Sequence, residues 1–431
     1  MQWKALPGFR DFYPDALALR NHIFATWRDV ARRYAFEEYD GPPLEPLELY
    51  TKKSGDEIVR QLYRFRDRGD REVALRPEMT PTLARMVGMR AQALKKPIRW
   101  FSMPQLFRYE RHQRGRLREH FQLNMDIIGE SSPLADAEII AAAIDIVRSL
   151  GFGPGAVRAR VSDRQLLKTL LISRGVTQRQ LPAAYAAMDK LEREPHAVIR
   201  ERLKKAKVRK EVIDGIFEIA ALNTVDSALN QLRGVREHGE EGVRLLRLSE
   251  ALDWMGLSEF VTLDFGIVRG LAYYTSTVFE VFDASGDLRA ICGGGRYDNL
   301  LEELAGVSLP CVGFGMGDVV LAELLRDRKP FARAPNAIDA FFLAVGVPDE
   351  KVMLRLAHEM RDRGLSIEYG LHFYSLRKQF ELAASRGARW AVIIGPAERE
   401  REAVLVKEMR TGREEPIPMH RLEEYLKANH H

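Results

Sequence analysis

Cysteine is nearly missing from this chain, which has Cys292 and Cys311 in 431 residues and no others. Two thiols cannot build a disulfide framework, nor a four-ligand zinc site by themselves. Long apolar runs are missing too: no 18 consecutive apolar residues occur, so no transmembrane helix and no membrane partner are expected. The start Met1-Gln2-Trp3-Lys4 lacks the apolar stretch of a secretory leader, which makes the cytoplasm the expected location. Repeats and low-complexity tracts are absent, and a hydrophobic share of 46% with 29% charged residues excludes collagenous and disordered classes. The charge surplus is small, 66 Lys plus Arg against 61 Asp plus Glu, a net +5 that permits a nucleic-acid partner without requiring one.

What is there reads as more than one domain. Apolar residues at helical spacing (Leu17, Leu19, Ile23, Trp27, Val30) predict a helix near the start. Short runs at Glu72 to Arg76, Ile98 to Met103, Gln105 to Arg111 and His120 to Gly129 predict antiparallel strands, because most lack room between them for a crossover helix. Residues 164 to 256 change to a three-to-four spacing, a helical block. Strands return at Val261 to Ile267, Thr275 to Val281 and Leu288 to Cys292, followed by a helix from about Gly317 to Arg326. The charged, proline-bracketed stretch Arg326 to Pro335 reads as a linker. Beyond it the strands Ala340 to Val345 and Trp390 to Gly395 alternate with the amphipathic runs Lys351 to Arg363 and Leu376 to Arg386, an α/β pattern.

Three clusters carry the chemistry. Arg108, Arg111, Arg114, Arg116 and Arg118 fall within eleven residues around Gly115, between two apolar runs. Such a hairpin is either a solvated basic surface or a grip for polyphosphate, which arginine pairs with bidentately. Gly293-Gly294-Gly295-Arg296-Tyr297-Asp298 follows an apolar run, where glycines let a ligand approach the backbone. Gly313-Phe314-Gly315-Met316-Gly317-Asp318 leads into a helix, where an anion or a tightly packed ligand fits.

Taken in this order, the clusters resemble those of the class II aminoacyl-tRNA synthetases, and of the histidyl-tRNA synthetases among them. Gly41-Pro42-Pro43-Leu44-Glu45 resembles motif 1, Phe107 to Gly129 motif 2 and Gly313 to Leu321 motif 3. Leu75-Arg76-Pro77-Glu78-Met79-Thr80 is similar to the substrate-amine loop. Ile267-Val268-Arg269-Gly270-Leu271-Ala272-Tyr273-Tyr274 and Gly293 to Asp298 are similar to the two histidine signatures.

The resemblance implies an α+β fold: a catalytic domain over 1–325 on an antiparallel sheet, interrupted by a helical insertion at 168–256, then a linker at 326–336 and an anticodon-binding α/β domain at 337–425. It implies ATP-dependent ligation of L-histidine to histidine tRNA through histidyl-adenylate, in a homodimer. ATP is a substrate accompanied by Mg2+, with no dedicated metal site. Arg108 and Arg269 are the implied catalytic residues. Glu78, Thr80, Gln122, Asp126, Arg269, Tyr273, Tyr274 and Gly294 would hold histidine, with Glu78 and Thr80 on its ammonium and Asp126 and Tyr274 on its ring. Arg108, Glu110, Arg116, His120, Phe121, Gly315 and Gly317 would hold ATP. Alternation along the strand puts Gln122, Asn124 and Asp126 on one face. The basic run Arg200, Arg202, Lys204, Lys205, Lys207, Arg209 and Lys210 is expected to touch the acceptor arm of the tRNA.

Three positions depart from the pattern. Val320 stands where motif 3 has the arginine of the terminal phosphate, His120 where a phenylalanine stacks on adenine, and Ala272 where the first signature has aspartate. These leave an alternative, a degenerate paralogue acting as a regulatory or tRNA-sensing subunit.

Overall fold

The computed structural model describes residues 3–52, 56–110, 115–191, 193–231, 239–267, 273–285, 289–328, 338–372 and 374–428. The chain divides into two compact units, Met1–Phe331 and Ala332–His431. Arg111, Arg114, Arg269, Ala272 and most of the expected linker lie outside the described residues.

The strands of the first unit are β1 (Glu37–Glu38), β2 (Leu44–Pro46), β3 (Arg64–Arg66), β4 (Glu72–Leu75), β5 (Ile98–Ser102), β6 (Gln105–Phe107), β7 (Glu119–Ile128), β8 (Val157–Asp163), β9 (Val261–Leu263), β10 (Thr277–Asp283), β11 (Cys292–Arg296) and β12 (Cys311–Gly317). They form a large sheet ordered β1-β5-β7-β12-β11-β10-β8-β9, with β6 also on β7, and a small sheet ordered β2-β4-β3. The centre of the large sheet is antiparallel as expected, but each end carries a parallel pair, β1 with β5 and β8 with β9. A parallel pair needs a long crossover. Between β8 and β9 the helical block supplies it.

β7 explains why the sheet sits where it does. Leu123, Met125 and Ile127 are buried against a continuous apolar cluster that also holds Ile23 and Trp27 of helix Pro14–Arg33 and Ile140 and Ile144 of helix Pro133–Ser149. Pro14 and Pro133 each open their helix, where a missing N–H costs nothing. Ser132 caps the second helix by accepting from the Leu134 N–H. Helices of the block, from Arg164–Ser173 through Glu240–Trp254, bury Leu166, Leu170, Ile213, Ile216 and Leu248 in that same cluster.

Glycine misleads as a strand terminator here. The predicted strand ending at Cys292 in fact begins there, and Gly293, Gly294 and Gly295 lie inside β11, paired with β10 and β12. The reason is packing: a Cβ on Gly294 would stand 2.4 Å from the Gly313 carbonyl oxygen and 2.5 Å from Phe314 Cβ. β10 likewise starts two residues later than the expected Thr275, at Thr277. Of the run expected to reach Arg111, the described residues pair as a strand over Gln105–Phe107 alone.

The second unit is an α/β layer of β13 (Ala340–Ala344), β14 (Ile367–Tyr369), β15 (Trp390–Ile394), β16 (Ala403–Glu408) and β17 (Glu414–Pro418), ordered β14-β13-β15-β16-β17. Successive residues of β13 serve opposite faces. Phe342 joins Met353 and Leu356 of helix Val347–Asp362, whereas Phe341 and Leu343 join Ala383 of helix Leu376–Ser385. The buried Gln379 side chain donates to the Ala344 carbonyl at 2.9 Å and accepts from the Ala344 N–H at 3.2 Å, closing the end of β13.

Candidate active site

A cavity of about 390 Å³ lies on the open face of β7, β12 and β11 in the first unit. The even-numbered residues of β7 face it: His120, Gln122, Asn124 and Asp126. β12 makes room for them. Gly313 pairs with Asp126 across the ladder, and a Cβ there would fall 2.0 Å from Asp126 Oδ1. A Cβ on Gly315 would fall 2.8 Å from Gln122 Cδ. The motif 3 glycines are therefore a bare floor over which the side chains of β7 lie flat.

One end of the cavity is carboxylate and phenol. Glu78, Thr80, Gln122, Asp126, Tyr273 and Tyr274 line it, with Gly294 beneath. The loop carrying Glu78 is fixed by the buried Arg76, which donates to Asp40 at 2.8 Å, to the Gly41 carbonyl at 2.6 Å and to the Gln105 carbonyl at 3.1 Å. Tyr273 hydrogen-bonds Thr80, and its ring meets those of Tyr274 and Tyr297 edge-on at 5.3 and 5.8 Å. Burial pushes the Asp126 carboxyl up to about 7, against the opposing pull of a hydrogen bond from Tyr297. Tyr297 was missed as a site residue, although it sits inside the second signature. Its neighbour Arg296 turns away from the cavity to grip the buried Asp136 at 2.6 Å, and Arg244 of the helical block stands 3.6 Å from the same carboxylate. Breaking such a buried pair from one side costs about 3–5 kcal/mol.

The other end is basic. Arg108, Glu110, Arg116 and His120 line it, with Gly315 and Gly317. Arg108 Nε donates to the Pro77 carbonyl at 2.8 Å, while Arg116 is ion-paired with Glu110. Burial, together with the positive charges of Arg108 and Arg10, holds the His120 imidazole down at about 3, so it is neutral. Arg118 leaves the cavity and lies over the Tyr109 ring at 4.2 Å. Of the five arginines of the hairpin, then, two of the described ones line the cavity.

Phe121 is a correction. As an odd-numbered residue of β7 it points to the opposite face, where its ring meets Phe24 at 5.3 Å and Phe12 at 6.1 Å, and it takes no part in the cavity. Only its backbone serves the site's frame, donating to Asp318 at 2.9 Å. Asp318 in turn pairs with Arg10 at 2.8 Å, and Arg10 with Glu119 at 2.6 Å. That network ties the start of β7 to the start of helix Asp318–Arg328.

The arrangement suits a ligand that is polar and ring-bearing at one end and polyanionic at the other. Cys292 also lines the cavity, but burial drives its thiol well above the usual range, away from the thiolate a nucleophile needs.

Comparison with known proteins gives a consistent answer. The family described as Histidyl-tRNA synthetase matches residues 8–318, and the Anticodon binding domain matches 340–429. The histidine–tRNA ligase of Opitutus terrae is 43% identical over 422 residues, covering 96% of each chain. That of Thermoplasma volcanium is 36% identical over 430 residues, covering 100% of this chain and 99% of its own. The crystal structure of histidyl-tRNA synthetase from Nostoc sp. PCC 7120 superposes with a TM-score of 0.83 over 99% of both chains at 24% identity, a likeness of fold.

Proposed function

The chain belongs to the histidyl-tRNA synthetase family and joins L-histidine to its tRNA with ATP by way of histidyl-adenylate; from that premise we propose that the cavity over β7, β11 and β12 is where the adenylate forms. The observation that carries this reading is the polarity of the cavity, with Asp126 and the tyrosines at one end and Arg108 and Arg116 at the other. The first step needs no general base, because the histidine carboxylate is already ionised. A carboxylate oxygen attacks the α-phosphorus, the bond to the bridging oxygen breaks, and pyrophosphate leaves with the electron pair. Catalysis then reduces to positioning and charge stabilisation.

Glu78 and Thr80 receive the ammonium, with Gln122 beside them. Asp126 and Tyr274 bond the two ring nitrogens, and the neutral His120 offers its ring face to adenine. Arg108 contacts the α-phosphate, and Arg269 bridges that phosphate and the substrate carboxylate. Among the described residues no three His, Cys, Asp or Glu side chains gather into a metal cage. Mg2+ would be held chiefly by the phosphates, with Glu110, which pairs with Arg116 in this structure, as the protein carboxylate that would take part, and it would supply charge neutralisation on the leaving pyrophosphate.

The reading divides the chain into a catalytic domain over 1–325 with the 168–256 insertion, a linker at 326–336, and an anticodon-binding domain at 337–425. Exposed Pro42, Pro43 and Leu44 at the edge strand β2 support a homodimer through motif 1. The cytoplasm is the proposed place of work. Among the described residues no helix is long and apolar enough to cross a membrane. The test is histidine-dependent exchange of pyrophosphate into ATP by the purified chain, which Arg108→Ala should reduce at least a hundredfold. Exchange that persists in Arg108→Ala would move the chemistry elsewhere.

A further inference from the structure

Three consecutive phosphates are strongly anionic, and a protein holds them with guanidinium groups that are not already neutralised. At the basic end of the cavity few such groups remain. Arg108 is directed by its bond to the Pro77 carbonyl, and the charge of Arg116 is met by Glu110. The first turn of helix Asp318–Arg328, where the motif 3 pattern has its arginine, offers the cavity only Val319 and Val320. A valine cannot neutralise a phosphate.

Facing that apolar wall is Arg289, which comes from no motif and enters from the segment before β11. Gly115 locates it: a Cβ on this glycine would lie 3.6 Å from Val320 Cγ2, 3.8 Å from Arg289 Cδ and 3.8 Å from Glu323 Oε2. Val320, Arg289 and Glu323 thus flank one spot beside the cavity. Arg289 lines the cavity, is exposed, and has no hydrogen-bond or ion-pair partner among the described residues. Its charged neighbours are Arg116 and Arg193, which repel it, Glu110, which is already paired, and Glu323, whose carboxylate accepts from the Gly115 N–H at 3.2 Å. Partial burial and this crowding hold its guanidinium below the ordinary arginine range. Three arginines gathered against two carboxylates, one of them already ion-paired, leave a cationic surplus that favours a polyanion.

We infer that Arg289 grips the outer phosphates of ATP, doing from the β10–β11 connection what an arginine at position 320 would do from the helix. The inference rests on the ATP reading above and names the residue that completes it.

Arg289→Ala, Arg289→Lys and the double variant Arg289→Ala/Val320→Arg separate the possibilities. Exchange kinetics would give KM for ATP and for histidine, and calorimetry would give direct binding of ATP and of AMP. Loss of a charge-assisted contact should raise KM for ATP by about 10- to 100-fold in Arg289→Ala. KM for histidine and the affinity for AMP, which lacks the outer phosphates, should stay within about twofold. Arg289→Lys should recover part of the loss, and the double variant should recover more than Arg289→Ala retains. An unchanged KM for ATP, or equal weakening of AMP and ATP, overturns the assignment. Were the wild-type chain to show no exchange at all, the site reading would fail, and the ATP-over-AMP preference in direct binding would still judge Arg289.

Discussion

Tyr297 donates its phenolic proton to Asp126 Oδ1 at 2.5 Å, so the carboxylate assigned to the substrate ring is itself positioned by a buried hydroxyl. Removing that hydroxyl leaves the carboxylate without a charge-assisted partner, which is worth about 1.5–3 kcal/mol. Tyr297→Phe should raise KM for histidine about tenfold or more in pyrophosphate exchange and leave KM for ATP nearly unchanged. A parallel rise in both constants would mean that Tyr297 holds the fold rather than the ring-binding group.

The pH dependence follows from the same pair. Asp126 must be ionised to accept from the imidazole, and burial sets its carboxyl at about 7. KM for histidine should therefore rise as pH falls below 7. Because Tyr297 favours the ionised form, Tyr297→Phe should shift this break to higher pH. Asp126→Asn should abolish it, leaving the titration of the substrate's own imidazole.

Asp126 also makes a stability prediction. Its carboxyl titrates near 4 in the unfolded chain and near 7 in the folded one, so the folded state binds the extra proton between those values. The stability this contributes is complete below pH 4 and is lost as pH rises through 7, up to roughly 4 kcal/mol. Asp126→Asn should then melt above the wild type at pH 8, with the gap closing towards pH 4. Calorimetric scans across that range check it; a constant gap would contradict it.

His120 should behave as a neutral aromatic plate. With its imidazole held at about 3, it does not titrate in the working range. His120→Phe should keep KM for ATP within about threefold, whereas His120→Ala should raise it by an order of magnitude, base stacking being worth about 1–3 kcal/mol. Neither change should introduce a pH dependence near 6.5.

The basic run is partly spoken for. Arg200 pairs with Asp214, Arg202 with Glu194 at 2.6 Å and Lys204 with Glu201 at 2.6 Å, whereas Lys205, Lys207 and Lys210 are exposed. Reversing these three to Glu should weaken aminoacylation about tenfold or more, more steeply at low salt, while histidine-dependent exchange stays intact. Equal loss of both steps would exclude contact with the acceptor arm.

Period-two alternation made much of the site legible: once Gln122, Asn124 and Asp126 shared a face, the cavity side of β7 was known. The same rule sets Phe121, an odd position of β7, on the opposite face, away from the ATP role that the resemblance implied. Glycines were harder, because Gly293 to Gly295 signal a turn in sequence and are strand in space, where the close approach of Gly313 and Phe314 requires them. The parallel ends of the large sheet depend on pairings between segments far apart in the chain, as with Val261 and Ala159. Arg289 belongs to no motif, and only the fold sets it beside Val320. In the second unit, where strands and helices alternate locally, pattern and structure agree closely.

The bare floor of β12 has a further meaning for how this pocket can change. Its contour is written in hydrogen atoms: a methyl group at Gly313 would occupy the seat of the Asp126 carboxylate, and one at Gly315 that of the Gln122 amide. Either would act as an inhibitor joined to the chain, present in every molecule and impossible to wash out. Drift in substrate preference must therefore come through β7, whose side chains are the movable furniture, while β12 stays empty.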